Sequence, residues 1–307
     1  MRTSQPSSPV SGVYAAMATP RIHNLIEADA AALFDYLDRI VAAGVDGVVL
    51  FGSTGEFVHF SASERMRVLM LAAKRCRVPL LVNVSHSALQ GALDLAENAI
   101  EANVAGVLLM PPYFYRYNEE QIFEFYRQFI AAVDGRTPVY LYNIPQFTNP
   151  ISPALANRLL TSGSFAGIKD SSGDWRMFEA LQALHTKTPF RLLVGSDSLY
   201  ARARPLGADG IVSGIAAALP ELFVSLERAL RENKADLTRQ LAGRVDEFAG
   251  WLEEFPGTVA IKQAAVFRGW KLDHWAVPCD EHTAGVLQAF QGWLRDWLPQ
   301  VLSECAP

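Results

Sequence analysis

Strand-like and helix-like stretches alternate eight times over roughly the first 230 of 307 residues, and this alternation limits what the chain can fold into. Short apolar runs at 13–18, 47–51, 80–84, 106–110, 138–142, 165–169, 191–195 and 210–212 read as strands. Helical periodicity fills 30–43, 61–76, 88–102, 119–133, 153–160, 175–185, 198–205 and 217–231. Alternating units specify a parallel sheet, and eight of them favour closure into a (β/α)8 TIM barrel. An open doubly wound sheet is the rival, but no Gly-x-Gly-x-x-Gly turn follows the first strand. Beyond residue 232 the pattern is helical without a strand signal. The expected organisation is a flexible tail at 1–11, a barrel carrying the active site at 12–232, and a helical extension at 233–307 packed on it.

Composition narrows the class. Half the residues are hydrophobic, enough for a large core, and a net charge of −5 gives no electrostatic reason to expect nucleic acid or an anionic membrane as partner. No apolar run reaches the roughly 18 residues of a membrane helix. Residues 1–10 are Ser/Pro-rich with no apolar h-region, which reads as a loose tail rather than a signal peptide. Cys76, Cys279 and Cys305 are odd in number and widely spaced, as expected of reduced thiols in a cytoplasmic protein and not of a disulfide scaffold. The six histidines show no metal-ligand spacing, so no metal site is expected.

In a barrel the chemistry lies where the strands end. The sixth strand, Phe165-Ala166-Gly167-Ile168-Lys169-Asp170, is apolar until it reaches a lysine. Burial disfavours the charged form of an amine, and a neutral amine is what imine formation requires. The fifth strand ends in Tyr142-Asn143-Ile144-Pro145, 27 positions before Lys169. That is one β–α–β repeat, so the two side chains are expected on neighbouring strands at the same rim. The second strand ends in Gly52-Ser53-Thr54-Gly55-Glu56, a tight turn whose N–H groups and hydroxyls could seat a carboxylate or a phosphate. A P-loop is excluded, since no Gly-Lys-Ser/Thr follows. Lys for an imine, Tyr for a proton and a Ser/Thr nest for a carboxylate make a coherent pyruvate site. Structural readings suit the rest: helix packing for Phe123, Phe125, Tyr126 and Phe129, core or interface for Trp293 and Trp297, and a structural role for Lys262. Ser61 to Glu64 reads as a capping box, and Asp170 to Asp174 as the cap of the next helix.

With these pieces in order, together with Ala18-Thr19-Pro20, Pro112-Tyr113 and Gly207-Ala208-Asp209-Gly210, the chain from about residue 12 to 215 resembles the N-acetylneuraminate lyase/dihydrodipicolinate synthase group of class I pyruvate-dependent aldolases. The resemblance implies a metal-independent carbon–carbon lyase in which Lys169 forms an imine with pyruvate or another 2-keto acid. Tyr142 would move the proton, with Ser53 and Thr54 holding the carboxylate and linking to the Tyr142 hydroxyl between Gly52 and Gly55. Gly195 and Asp197 would face the substrate, Ser171 and Ser213 are further candidates for its hydroxyls, and Glu56 would be a structural acid under the loop. The same resemblance implies a homotetramer or dimer, in which a neighbouring subunit's tyrosine often joins the relay. Phe114 stands nearest that slot, flanked by Tyr113 and Tyr115.

Departures from the family pattern shape the substrate expectation. Dihydrodipicolinate synthases typically have Thr-Thr in the loop and an arginine where Phe147 stands, and loss of that guanidinium removes a grip on a second carboxylate. Neuraminate lyases share the Ser-Thr loop but commonly have Asp-Glu where this chain has Asp197-Ser198. A 2-keto-3-deoxy sugar acid aldolase is therefore the expectation. The alternatives are dihydrodipicolinate synthase or N-acetylneuraminate lyase activity, a 2-keto acid dehydratase, and a non-catalytic 2-keto-acid sensor.

Overall fold

The computed structural model describes residues 10–22 and 27–306. The expected tail, but for residues 10 and 11, and His23 lie outside them. Eight parallel strands close on themselves in sequence order: β1 (Gly12–Ala16), β2 (Gly47–Leu50), β3 (Leu80–Asn83), β4 (Gly106–Leu109), β5 (Val139–Asn143), β6 (Gly167–Asp170), β7 (Arg191–Val194) and β8 (Gly210–Ser213). Closure needs β8 to return to β1, and it does, with Tyr14 opposite Val212. Because helices cover the outside and packed side chains fill the inside, the strands can be apolar on both faces. Val48, Val49, Leu81, Val107 and Leu108 are accordingly sealed from solvent.

Several of the connecting helices start at side-chain caps. α1 (Ala30–Ala42) begins where Asp29 accepts the Ala32 N–H, and α2 (Ala62–Arg75) where Ser61 accepts the Glu64 N–H. The reciprocal half of the expected box at Ser61 is missing. The Glu64 carboxylate turns instead to the Ala28 N–H and to Arg67. A complete capping box opens α4 (Glu119–Val133), between Asn118 and Gln121. Between β7 and β8 the expected single helix is broken into a four-residue α-helix at Tyr200–Ala203 between two 3-10 turns, with Pro205 in the second.

Beyond α8 (Pro220–Arg231) the chain adds three helices, α9 (Ala235–Leu252), α10 (Val259–Phe267) and α11 (Glu281–Glu304). A ring cluster of Phe248, Phe290, Trp293 and Trp297 packs α9 on α11, so the two tryptophans are core of the extension. Arg268, just past α10, grips the Glu221 carboxylate of α8 and the Ala218 carbonyl. Ala249 and Leu252 of α9 and Ile261 of α10 share a cavity with Tyr142 of β5 and Lys169 of β6, so both helices lie over the end of the barrel where the strands finish.

Candidate active site

β5 and β6 pair in register so that Tyr142 lies directly opposite Lys169. Both side chains emerge at the same rim, as the one-repeat spacing requires. The Lys169 amine stands 4.0 Å from the centroid of the Tyr142 ring, over its face. The residue is 4% exposed, and its amine has no hydrogen bond or ion pair among the described residues. On the far side of β6 the next residue, Asp170, is fully committed: it accepts from Asn143 Nδ2 at 2.7 Å and Ser172 Oγ at 2.7 Å. Burial pushes its carboxyl up, and those hydrogen bonds pull against it. Alternation along one strand thus separates a structural acid from a free amine.

Around Lys169 opens a cavity of about 470 Å³, and Ser53, Thr54, Tyr142, Ser171, Gly195 and Asp197 all line it. The N–H groups of Ser53, Thr54 and Gly55 donate to no acceptor among the described residues, which leaves them available to an anion. Gly195 makes room for the amine. A Cβ there would lie 2.0 Å from Ser171 Oγ and 2.9 Å from Lys169 Cε. Gly214 does the same between Thr54 Oγ1 and the Asp197 carboxylate. Among the described residues Ser171 Oγ has no hydrogen-bond partner, so a hydroxyl is held ready at the cavity wall.

Asp197 is the most perturbed acid of the site. Burial raises its carboxyl to about 6, against the opposing pull of the Ser213 hydroxyl, the Lys169 charge and the N–H groups of Ile215 and Gly214. Ser213 donates to Asp197 while its oxygen accepts the Ala216 N–H. It is fully buried behind Asp197 and does not reach the cavity, contrary to the expectation of a direct substrate contact. Gly52 and Gly55 are likewise not cavity residues. Gly55 is needed because a Cβ would come 2.8 Å from the Phe51 backbone, whereas one at Gly52 would meet nothing within 4 Å.

A second, mostly apolar cavity of about 330 Å³ lies beside the first and shares Ser53, Ile144 and Phe147 with it. Tyr113 lines this one and stands edge-on to Phe57. His59 lines it too, with its imidazole pushed below the usual range, chiefly by burial. Phe114 and Tyr115 line neither cavity. They project from the surface as an edge-to-face pair, with Phe114 86% exposed and at φ 80.

Several cavity residues were not foreseen. Gln146 follows the Tyr-Asn-Ile-Pro turn, and Ala249, Leu252, Glu253 and Ile261 come from α9, its C-cap and α10. Nothing in the local sequence of the extension marks them, because their placement is set by tertiary packing alone. Glu56, read as a structural acid, forms a buried ion pair with Lys262. Among the described residues no three His, Cys, Asp or Glu side chains converge as a metal site, and no helix is long and apolar enough to cross a membrane.

Known proteins resemble this chain over most of its length. A curated DapA-like lyase of Halobacterium salinarum is 34% identical over 245 residues, covering 79% of each chain. A 2-dehydro-3-deoxy-D-gluconate/2-dehydro-3-deoxy-phosphogluconate aldolase of Picrophilus torridus is 33% identical over 183 residues, 59% of this chain and 66% of that one. Among solved structures, the Escherichia coli K12 prophage protein YagE, crystallised with pyruvate, superposes with a TM-score of 0.87 at 24% identity, over 94% of this chain and 99% of its own. Residues 9–291 match the profile of the dihydrodipicolinate synthetase family, so this barrel, with the lysine at the end of its sixth strand, belongs to that family of lyases and aldolases.

Proposed function

We propose that the protein is a class I aldolase that makes or breaks a carbon–carbon bond through an imine between Lys169 and pyruvate. The observation that carries this reading is the Lys169 amine, buried, unpartnered and facing Tyr142 in an open cavity. In the cleavage direction the amine adds to the C2 carbonyl of a 2-keto acid and water leaves, giving a protonated imine. The C3–C4 bond then breaks and its electron pair moves into the imine, leaving an enamine. The C4 hydroxyl loses its proton as the aldehyde forms, and Tyr142 relays that proton, passing on its own as it takes up the new one. Protonation of the enamine at C3 and hydrolysis release pyruvate and restore Lys169. Ser53 and Thr54 seat the carboxylate on their free N–H groups and hydroxyls. No metal or external cofactor takes part, because the protonated imine is itself the electron sink.

For the partner aldehyde we infer a hydroxylated chain, the product of cleaving a 2-keto-3-deoxy sugar acid. Its support is the polar lining of the cavity, which includes Gln146, Ser171, Ser196, Asp197, Ser198 and Glu253. The name of the Picrophilus torridus relative points to the same substrate class. Phe147, without a charge, offers nothing to a second carboxylate such as that of aspartate semialdehyde. The exposed Phe114–Tyr115 pair suits burial against a second copy of the chain, as a homo-oligomer would provide, and there Phe114 can fill space but cannot relay a proton. Turnover of a panel of 2-keto acids, read by coupling released pyruvate to lactate dehydrogenase, tests the assignment. Cleavage of 2-keto-3-deoxy sugar acids is expected. Turnover confined to neuraminate, or to synthesis from aspartate semialdehyde, would overturn the substrate class.

A further inference from the structure

Glu56 and Lys262 line no part of the Lys169 cavity, yet they meet across 206 positions of sequence. Glu56 closes the turn that carries Ser53 and Thr54, and its backbone is left-handed at φ 53, ψ 38. Phe51, which opens the turn, is left-handed as well at φ 56. Two non-glycine residues in this region make the turn a strained shape that persists only where its surroundings over-determine it. The barrel supplies part of that restraint. Thr19 Oγ1 donates to the Gly55 carbonyl at 2.7 Å, and Asn83 Nδ2 to the Phe51 carbonyl at 2.7 Å.

Further restraint comes from outside the barrel. The Glu56 carboxylate accepts from Lys262 Nζ, with Arg21 Nε at 3.6 Å. Lys262 is fully enclosed on α10 and spends a second donor on the His274 carbonyl at 3.1 Å. The residue before it, Ile261, walls the Lys169 cavity, and Thr258 at the start of the helix walls the apolar one. A buried ion pair is a weak stabiliser, since an apolar pair of similar volume often serves as well or better. Stability alone therefore gives no reason to bury this one here.

We propose that the Glu56–Lys262 pair is a positioning device: the helical extension uses it to fix the Ser53–Thr54 turn in the shape that seats the substrate carboxylate. This rests on reading that turn as the carboxylate seat. The test compares the wild type with Lys262→Met and with the charge-neutral double variant Lys262→Met/Glu56→Gln, which keeps volume and leaves no lone buried carboxylate if the single variant fails to fold. Amide hydrogen exchange by mass spectrometry is measured alongside the pyruvate dependence of borohydride trapping. In the double variant, exchange across residues 52–59 is expected to quicken while the strands keep their protection. The half-saturating pyruvate concentration should rise about tenfold, with the trapping rate at saturation within about twofold of wild type. Unchanged exchange in that segment, or faster exchange with unchanged pyruvate dependence, would overturn the positioning role. If wild type traps no pyruvate, the aldolase reading fails on its own, and the exchange result still decides whether the pair holds the turn.

Discussion

Lys169 and Lys262 are both buried, at 4% and 0% exposure, and the fold surrounds them in opposite ways. Lys262 has a carboxylate and a carbonyl within reach, so its charge is compensated although burial pulls its ammonium below the usual range. Lys169 stands over an aromatic face and lines an open cavity, with no acceptor bonded to it among the described residues. A buried amine that is paired is a strut. One left unpaired at a cavity wall is available for bond formation, and such sites are where function is to be sought. Depth of burial does not distinguish the two; the partner does.

The comparison breaks most visibly at Lys169. Lys169→Met should reduce turnover by at least about 10⁴-fold, as loss of a nucleophile does, with the thermal midpoint little changed because no hydrogen bond or ion pair of the amine is lost. Lys262→Met should cost stability and pyruvate affinity while leaving the rate at saturation within about twofold of wild type. It leaves Glu56, in a mostly buried site, with Arg21 at 3.6 Å in place of two cations, and is expected to cost about 3 kcal/mol in denaturant unfolding. If both variants lost activity equally while staying folded, the division of roles would be wrong.

Smaller changes sharpen the picture on the Lys169 side. Tyr142→Phe keeps the ring beneath the amine and removes only the hydroxyl, so kcat is expected to fall about 10²- to 10³-fold with little change in stability. Gly195→Ala drives a methyl into Ser171 Oγ and Lys169 Cε, and about a tenfold loss in kcat/KM is expected. Asp197→Asn has the smallest effect, and pH reveals it. The Asp197 carboxyl rises from 3.8 to about 6 on folding. The native state therefore holds its proton where the unfolded chain releases it, and stability falls as pH climbs from about 4 to 6. Asn removes that penalty, so the variant should gain thermal stability relative to wild type at pH 7 and not at pH 4. Equal gains at both would show that Asp197 is not held high.

Much of this was legible in the sequence, for physical reasons. The eight-fold alternation sets the barrel because period and turn chemistry are local. The 27-residue spacing of Tyr142 and Lys169 translates into strand pairing because one repeat carries the chain to the next strand at the same height. What sequence does not carry is contact between distant segments. Lys262 reads as a structural lysine, but its partner Glu56 could not be named, and Glu253 and Ile261 reach the cavity only because α9 and α10 fold back over the barrel. Ser213 shows the complementary limit. Its position at the end of β8 pointed to the substrate, yet the hydroxyl is already occupied by Asp197.

Borohydride reduction in the presence of pyruvate, followed by peptide mass spectrometry, tests the two-lysine comparison most directly. A single reduced pyruvate adduct is expected on the peptide carrying Lys169, with the Lys262 peptide unmodified and no adduct in Lys169→Met. An adduct on Lys262, or none on the folded protein, would contradict the assignment of Lys169 as the imine-forming residue.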